Sequence, residues 1–282
     1  MALGILTNVA ATYAQNNLNQ TQGSLQTVLQ QLSSGSRINS GADDAAGLAV
    51  ADGLRANGAA LTQSAQNAQN GVGLLQTADG ALSQVTNLLN RAVTLATEAS
   101  NGTLTAGQVS SADAEYQKIL TEIGNIGGTT NFNSTNVFSA TATNFVVSDG
   151  TTAGTTTFAD TVGVLTSASI GTATGGGAGV DLSASTLTAA GAAAELAKIT
   201  DAIGDVANQR GAIGANINQL NAASSVASSE QVNLSSAESA IRSTNYGQAT
   251  SDLAKFQVLS QTGISALAQA NSVQQEILKL LQ

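Results

Sequence analysis

Apolar residues recur at intervals of three and four toward both ends of the chain. The first series is Ala11, Ala14, Leu18, Thr21, Leu25, Val28 and Leu32. Its spacing predicts one stripe of a helix, close to the a/d seam of a coiled coil. A second series runs Ala65, Ala68, Val72, Leu75, Asp79, Leu82, Thr86, Leu89, Val93 and Ala96. A third runs Leu196, Ile199, Ile203, Val206, Arg210, Ile213, Ile217 and Leu220, and its register continues through Ser224, Ala227, Gln231 and Leu234 to Ile241. At a rise of about 1.5 Å per residue, a helix of that length is a rod about 70 Å long. The fourth series, Phe256, Gly263, Leu267, Ala270, Ile277 and Leu281, ends one residue before the C-terminus. The chain contains no proline to break any of these segments.

One such stripe is what any half-buried bundle helix shows. Four, placed symmetrically about the chain centre, predict a mainly α fold in which N- and C-terminal segments form a long antiparallel helical bundle or coiled coil. Arg210 interrupts its aliphatic run. It either snorkels its head into water or pairs with a carboxylate on an adjacent helix or subunit and helps fix register.

The middle of the chain breaks the pattern. From Thr141 to Ser185 it is rich in Thr, Ser, Ala and Gly, and it is expected to be a small β-rich insert. FNSTNVFSA (132–140) and TNFVVSDG (143–150) read as the strands of a hairpin. The exposed hydroxyls of this region are candidate acceptors for O-linked sugars.

Between the first two stripes lies LSSGSRINSGADDAAGLAVADGLR, residues 32–55. Gly35 is placed to cap a helix ending near Ser33 or Ser34. Ser40 and Asp43 fit a capping box, and Asp43 with Asp44 sets negative charge at the positive end of the next helix. The small residues that follow allow two helix backbones to approach closely.

Composition excludes much chemistry. The 282 residues include no Cys, no His and no Trp, and aromatics make up 3%. That removes the usual zinc sites, the Ser-His-Asp triad and thiolate nucleophiles. The 18 acidic residues form no paired catalytic cluster. The glycine-rich run at 175–179 lies between Ser/Thr-rich segments and lacks the strand-to-helix context of a phosphate loop. We expect no enzyme and no cofactor. A net charge of −9 with no Lys/Arg cluster argues against nucleic-acid binding. No apolar run approaches the roughly 18 residues that would suggest a membrane span. The N-terminal MALGILTNVAATYAQNN does not read as a cleaved secretory signal.

The wording of residues 32–55 carries more than a helical joint requires. It closely resembles the hallmark segment of bacterial flagellin. The resemblance extends to NAQNGVGLLQTADGALSQV (67–85), LLNRAVTLATEASNGT (88–103), ADAEYQKILTEI (112–123), TTNFNSTNVFS (129–139) and the C-terminal stretch 233–282. It implies a structural subunit that polymerises into the hollow helical filament used for swimming. Residues 1–40 plus 242–282 would be a terminal inner-tube domain. Residues 41–140 plus 186–241 would form an outer-tube bundle with a β-hairpin, and 141–185 a short variable surface insert. The hook–filament junction protein, which shares these terminal helices, is the alternative. A zinc-peptidase insert is excluded by the lack of histidine.

On this resemblance the expected assembly residues are Leu18, Leu25, Leu32, Arg37, Asp43, Asp44, Arg210, Phe256, Leu267, Ile277 and Leu281. The implied partners are copies of the chain itself, the flagellar type III export machinery with an export chaperone, and hook-junction and filament-cap proteins. The implied location is the extracellular filament. Arg91, Leu95 and Glu115 align with the family's contacts for an animal Toll-like receptor. Val93 and Thr94 depart from the arginine and glutamate of receptor-active members. Gln275 replaces a frequent proline, and Ser243 with Thr244 replaces a commonly acidic pair.

Overall fold

Nine elements follow one another in the computed structural model, which describes residues 8–149, 157–171 and 179–280 and, within these, no side chains at 274 or 276–280. They are helices α1 (Val9–Ser34), α2 (Ala45–Ala99) and α3 (Ala106–Thr129), strands β1 (Asn131–Phe132), β2 (Thr135–Asn136), β3 (Thr143–Val146) and β4 (Thr157–Asp160), and helices α4 (Ala192–Arg242) and α5 (Tyr246–Leu280). The fold is mainly α with a small β-rich insert, as the periodicity predicts. The chain divides into two compact units, Met1–Ala56 with Asn233–Gln282 and Asn57–Val232.

In the first unit α1 packs on α5. Asn8 meets Ala270, Leu18 lies beside Gly263 and Gln31 meets Thr244, so the two helices run antiparallel. The α1 stripe is legible to the residue. Ala11, Ala14, Leu18, Thr21, Leu25 and Leu32 are half-buried, Val28 is buried, and the positions between them face solvent apart from Ser24 and Gln31. On α5 Phe256, Gly263, Leu267 and Ala270 are half-buried. Asn8 works at both ends of its side chain: Oδ1 accepts from the Ala11 N–H at 3.0 Å as the N-cap of α1, and Nδ2 donates to Ala270 at 2.9 Å. Gly35 ends α1 in the left-handed region at φ 71°, donating its N–H to the Gln31 carbonyl.

The second unit has a continuous core built by α2, α3, α4 and the chain between β4 and α4. α2 and α4 are antiparallel here, with Gly71 against Leu220 and Asp79 against Arg210. The buried seam of α2 falls at 61, 64, 68, 71, 75, 78, 82, 85, 89, 92, 96 and 99, an unbroken alternation of threes and fours. The periodic series read from the sequence shares 68, 75, 82, 89 and 96. Its alternate members Ala65, Val72, Asp79, Thr86 and Val93 are half-buried flanks. α4 repeats the offset: Ala202 and Gln209 are buried, while Ile203 and Arg210 lie at the edge. The seam mixes the large Leu61, Leu75, Leu82 and Leu89 with the small Ser64, Gly71, Ala78 and Ala92, and Gly71 sits directly against Leu220.

The β segments differ from the hairpin expected. Asn133 and Ser134 both take positive φ, 49° and 64°, which closes a two-residue turn inside the first segment. Phe132 therefore pairs with Thr135. β3 finds its partner further on, with Phe145 opposite Phe158. This second hairpin is fastened to α2 and α4. Ser64 Oγ donates to the Ser148 carbonyl, Asn67 Nδ2 to Val146 at 3.2 Å, and Asn216 Nδ2 to Asp160 Oδ1 at 2.8 Å. Just past β4, Gln209 Nε2 donates to the Val162 carbonyl. Gly127 lies so close to the Leu165 carbonyl that any side chain there would overlap it. Most of the glycine-rich run at 175–179 lies outside the described residues.

Candidate assembly surface

Within the first unit the links α1–α2 and α4–α5 are stitched together. Arg37 N–H donates to the Arg242 carbonyl at 2.7 Å, and Thr244 N–H donates to Gly35 at 3.0 Å, flanking the antiparallel bridge Ser36–Ser243. The Arg37 guanidinium reaches the Ile241 carbonyl at 2.9 Å, and Gln31 Nε2 donates to the Arg37 carbonyl at 3.1 Å. Arg37 therefore satisfies, with main chain and side chain, two carbonyls that the C-terminus of α4 would leave unpaired, and its positive charge suits the negative end of that helix. Arg242 lies 3.6 Å from Asp52 and 3.5 Å from Glu238. Ile38 is buried at 1% exposure, anchoring the link beneath this lattice.

The two aspartates divide the capping work. Asp44 Oδ1 accepts the Gly47 N–H at 2.8 Å and starts α2. Asp43 turns back, its Oδ2 accepting the N–H groups of Asn39 and Ser40 at 3.0 and 2.8 Å. These bonds favour the ionised form and hold its pKa below the usual carboxylate value. Ser40 and Asp43 thus close a turn one step before the helix begins.

Of the expected assembly residues, Leu18, Leu25, Leu32, Phe256 and Leu267 are half-buried on the stripes of α1 and α5. The side chain of Ile277 and the whole of Leu281 lie outside the described residues. What α1 and α5 leave uncovered is a second set of apolar side chains. Val9, Tyr13 and Leu29 on α1 are 58%, 68% and 47% exposed, and Val258, Leu259, Ile264 and Val273 on α5 are 43–63% exposed. Sequence reading missed them because they fall between the stripe positions. Their presence on the outward face of a polar helix was the available signal.

The remaining candidates lie in the second unit. Arg210 Nε meets Asp79 Oδ1 at 2.7 Å and its second nitrogen meets Oδ2 at 3.3 Å, so Arg210 pairs with a carboxylate on an adjacent helix. The hydrogen bond to Asp79 raises the guanidinium pKa. Arg91 and Glu115 form a bidentate pair across α2 and α3 at 2.7 and 3.0 Å, with both side chains about half exposed. The pairing lowers the Glu115 pKa. Leu95 points the other way, into the core at 2% exposure, and presents no side-chain surface to a partner.

Among the described residues no group of His, Cys, Asp and Glu is arranged to hold a metal, and no helix is long and apolar enough to cross a membrane. The surface offers backbone ladders, caps and uncovered apolar side chains.

Two family models match, the bacterial flagellin N-terminal helical region over residues 5–143 and the bacterial flagellin C-terminal helical region over residues 196–281. The chain is similar to flagellin 1 of Proteus mirabilis, at 41% identity over 54% of this chain and 41% of that protein. Its similarity to the flagellin of Listeria innocua is 29% over 98% of both chains. The match to the flagellin of Salmonella muenchen is 44% identical over 49% of this chain, and it spans 27% of that relative's length. The crystal structure of Bacillus cereus flagellin is 28% identical, with a TM-score of 0.47 over 57% of this chain and 88% of that one.

Proposed function

We propose that this chain, which belongs to the bacterial flagellin family, is the structural subunit of a bacterial flagellar filament and acts by polymerising with copies of itself. The observation that carries the proposal is the α1–α5 pair. Its half-buried seam joins two helices of one subunit, and exposed apolar side chains on both helices, among them Val9, Tyr13, Val258 and Val273, remain for a neighbour. Burying a large aliphatic side chain stabilises by about 1.5–3 kcal/mol relative to leaving it in water. Such side chains, repeated in every subunit, therefore supply a steady driving force. Contacts between unlike faces, if the rotation between subunits does not close a ring, extend into an open helical polymer.

In this reading the terminal helices, residues 1–40 and 242–282, line the inner tube. Residues 41–140 and 186–241 form the outer tube, and 141–185 face outward. Leu18, Leu25, Leu32, Phe256 and Leu267 set the shape of the inner pair, while Arg37, Asp43 and Asp44 fix the link between layers. The subunit leaves the cell through the flagellar export channel with an export chaperone. It meets junction and cap proteins at the two ends of the filament and functions outside the cell. An animal receptor reading this chain would meet the exposed Arg91–Glu115 pair.

Seeded polymerisation tests the proposal. Purified monomer is mixed with short filament fragments and followed by electron microscopy. Growth from the fragment ends into long filaments is expected. Binding that merely caps the fragments would favour the hook–filament junction role.

A further inference from the structure

Three Asn-Gly dipeptides occur in the chain, at 57–58, 70–71 and 101–102, and the structure treats them differently. Asn-Gly is the dipeptide most prone to lose its side-chain amide, because glycine offers no side chain to obstruct attack by its own backbone nitrogen. The attack also requires that nitrogen to be free and the local φ/ψ to be adjustable. Asn57-Gly58 and Asn70-Gly71 lie inside α2, where each backbone N–H is committed to the carbonyl four residues earlier. Gly71 is in addition walled in by Leu220 and Phe145.

Asn101 and Gly102 lie in the turn between α2 and α3 and both are exposed. The Asn101 N–H is held by the Glu98 carbonyl at 3.0 Å, and its carbonyl accepts from Leu104 at 3.3 Å. Among the described residues neither the Asn101 carboxamide nor the Gly102 N–H has a hydrogen-bond partner. Both reacting groups are therefore in water and adjacent.

We propose that Asn101 is a site of spontaneous deamidation and isoaspartate formation in the folded protein. The Gly102 backbone nitrogen gives its proton to solvent and bonds to Asn101 Cγ. The bond from Cγ to the side-chain nitrogen breaks, ammonia leaves, and a succinimide ring remains. Water then opens the ring at either carbonyl. One route leaves aspartate in a normal backbone, and the other leaves isoaspartate, with the chain continuing through Cβ. Neither step is a redox reaction, and water is the only co-reactant. Both products place a carboxylate just past the C-terminus of α2, where the helix dipole disfavours negative charge. The isoaspartate also lengthens the backbone inside the turn closed by Leu104.

The test uses the full-length monomer, incubated folded at mildly alkaline pH and digested with trypsin. Residues 92–118 and 56–91 fall in separate peptides, so the turn site and the two helical sites are read independently by mass and by isoaspartate-specific methylation. Conversion of the 92–118 peptide is expected to run at least about tenfold faster than that of 56–91, equivalent to about 1.4 kcal/mol of local opening required at the helical sites. In denaturing urea the two peptides should convert at similar rates per Asn-Gly site, two in 56–91 and one in 92–118. Gly102→Ala is the control variant: its φ is not in the left-handed region and a Cβ there meets nothing within 4 Å, so the fold is kept while the reaction slows. Equal rates in the folded protein, or a Gly102→Ala variant that converts as fast as the parent, would overturn the proposal.

Discussion

Breaking the Arg210–Asp79 pair tests whether the seam of the second unit uses charge to fix register or only to cover its edge. The guanidinium and carboxylate make a short bond at 2.7 Å and a longer one at 3.3 Å, with side-chain exposures of 37% and 40%. At about 4 Å between charge centres, attraction is about 1 kcal/mol in bulk water and about 4 kcal/mol at an effective dielectric of 20. More than a third of each side chain is in water, so the lower figure governs, and ordering two flexible side chains removes part of it. A net coupling of about 0.5–1 kcal/mol follows. The assay is a double-mutant cycle with Arg210→Met, Asp79→Asn and the pair, each unfolded in urea. Near-ultraviolet circular dichroism of tyrosine reports this unit, because Tyr116 is buried in its core while Tyr13 and Tyr246 are 68% and 56% exposed. The coupling should fall by about half between low salt and 1 M salt, where screening acts over about 3 Å. A coupling above 2 kcal/mol that ignores salt would refute this reasoning, since it requires a desolvated pair. If the pair selects register, filaments of Arg210→Met should also differ in helical symmetry from the parent by electron microscopy.

Three further outcomes follow from particular residues. Asp160 is 3% exposed, with Oδ1 held by Asn216 and Oδ2 meeting no donor. Burial pushes its pKa up, so the stability it contributes is fully present below the unfolded carboxylate pKa of about 3.9 and is lost as pH rises through the higher folded value. Asp160→Asn should accordingly gain stability over the parent as pH rises through that window, measured by thermal unfolding; a deficit constant with pH would contradict this. Gly35→Ala forces an L-residue to φ 71° and sets its Cβ 3.0 Å from the Tyr246 hydroxyl, so a loss of about 1–2 kcal/mol is expected, read as faster amide exchange in the last turn of α1. Leu75→Ala, at a fully buried seam position, should cost about 2–5 kcal/mol, and Val72→Ala, on the half-buried flank, clearly less; equal losses would mean that the flank is as deeply packed as the seam.

The contrast between Leu75 and Val72 also explains what the sequence made legible. Periodicity locates α1, α2, α4 and α5, because a stripe of Leu, Ile and Val is visible at any register near 3.5 residues, whereas α3 (Ala106–Thr129) is covered only by the family resemblance of residues 112–123. In α1 the apolar stripe and the protected stripe coincide, since that helix has one neighbour and one covered side. In α2 and α4 the apolar series shares every second position with the buried seam (75, 82 and 89; 199, 206 and 213), and its other members (72, 79 and 86; 203 and 210) fall one residue to the side. The positions that complete those seams, Ser64, Gly71, Ala78, Ala202 and Gln209, are buried but small or polar and add little to an apolar series. The same logic hid the surface most relevant to assembly. Val9, Tyr13, Val258 and Ile264 are out of phase with the intrasubunit stripe, and one chain's periodicity records only the partner it carries with it. A helix that must meet a neighbouring subunit as well needs a second apolar set, and in a monomer that set appears as exposure. Arg37 shows the remaining limit: its position in the hallmark segment marked it, but its role as a cap for α4 required two links separated by about two hundred residues to be brought side by side. On the proposed function the exposed apolar side chains of α1 and α5 and the stitched links belong to one design, in which backbone bonds fix the links of one subunit and the uncovered side chains are left for the next.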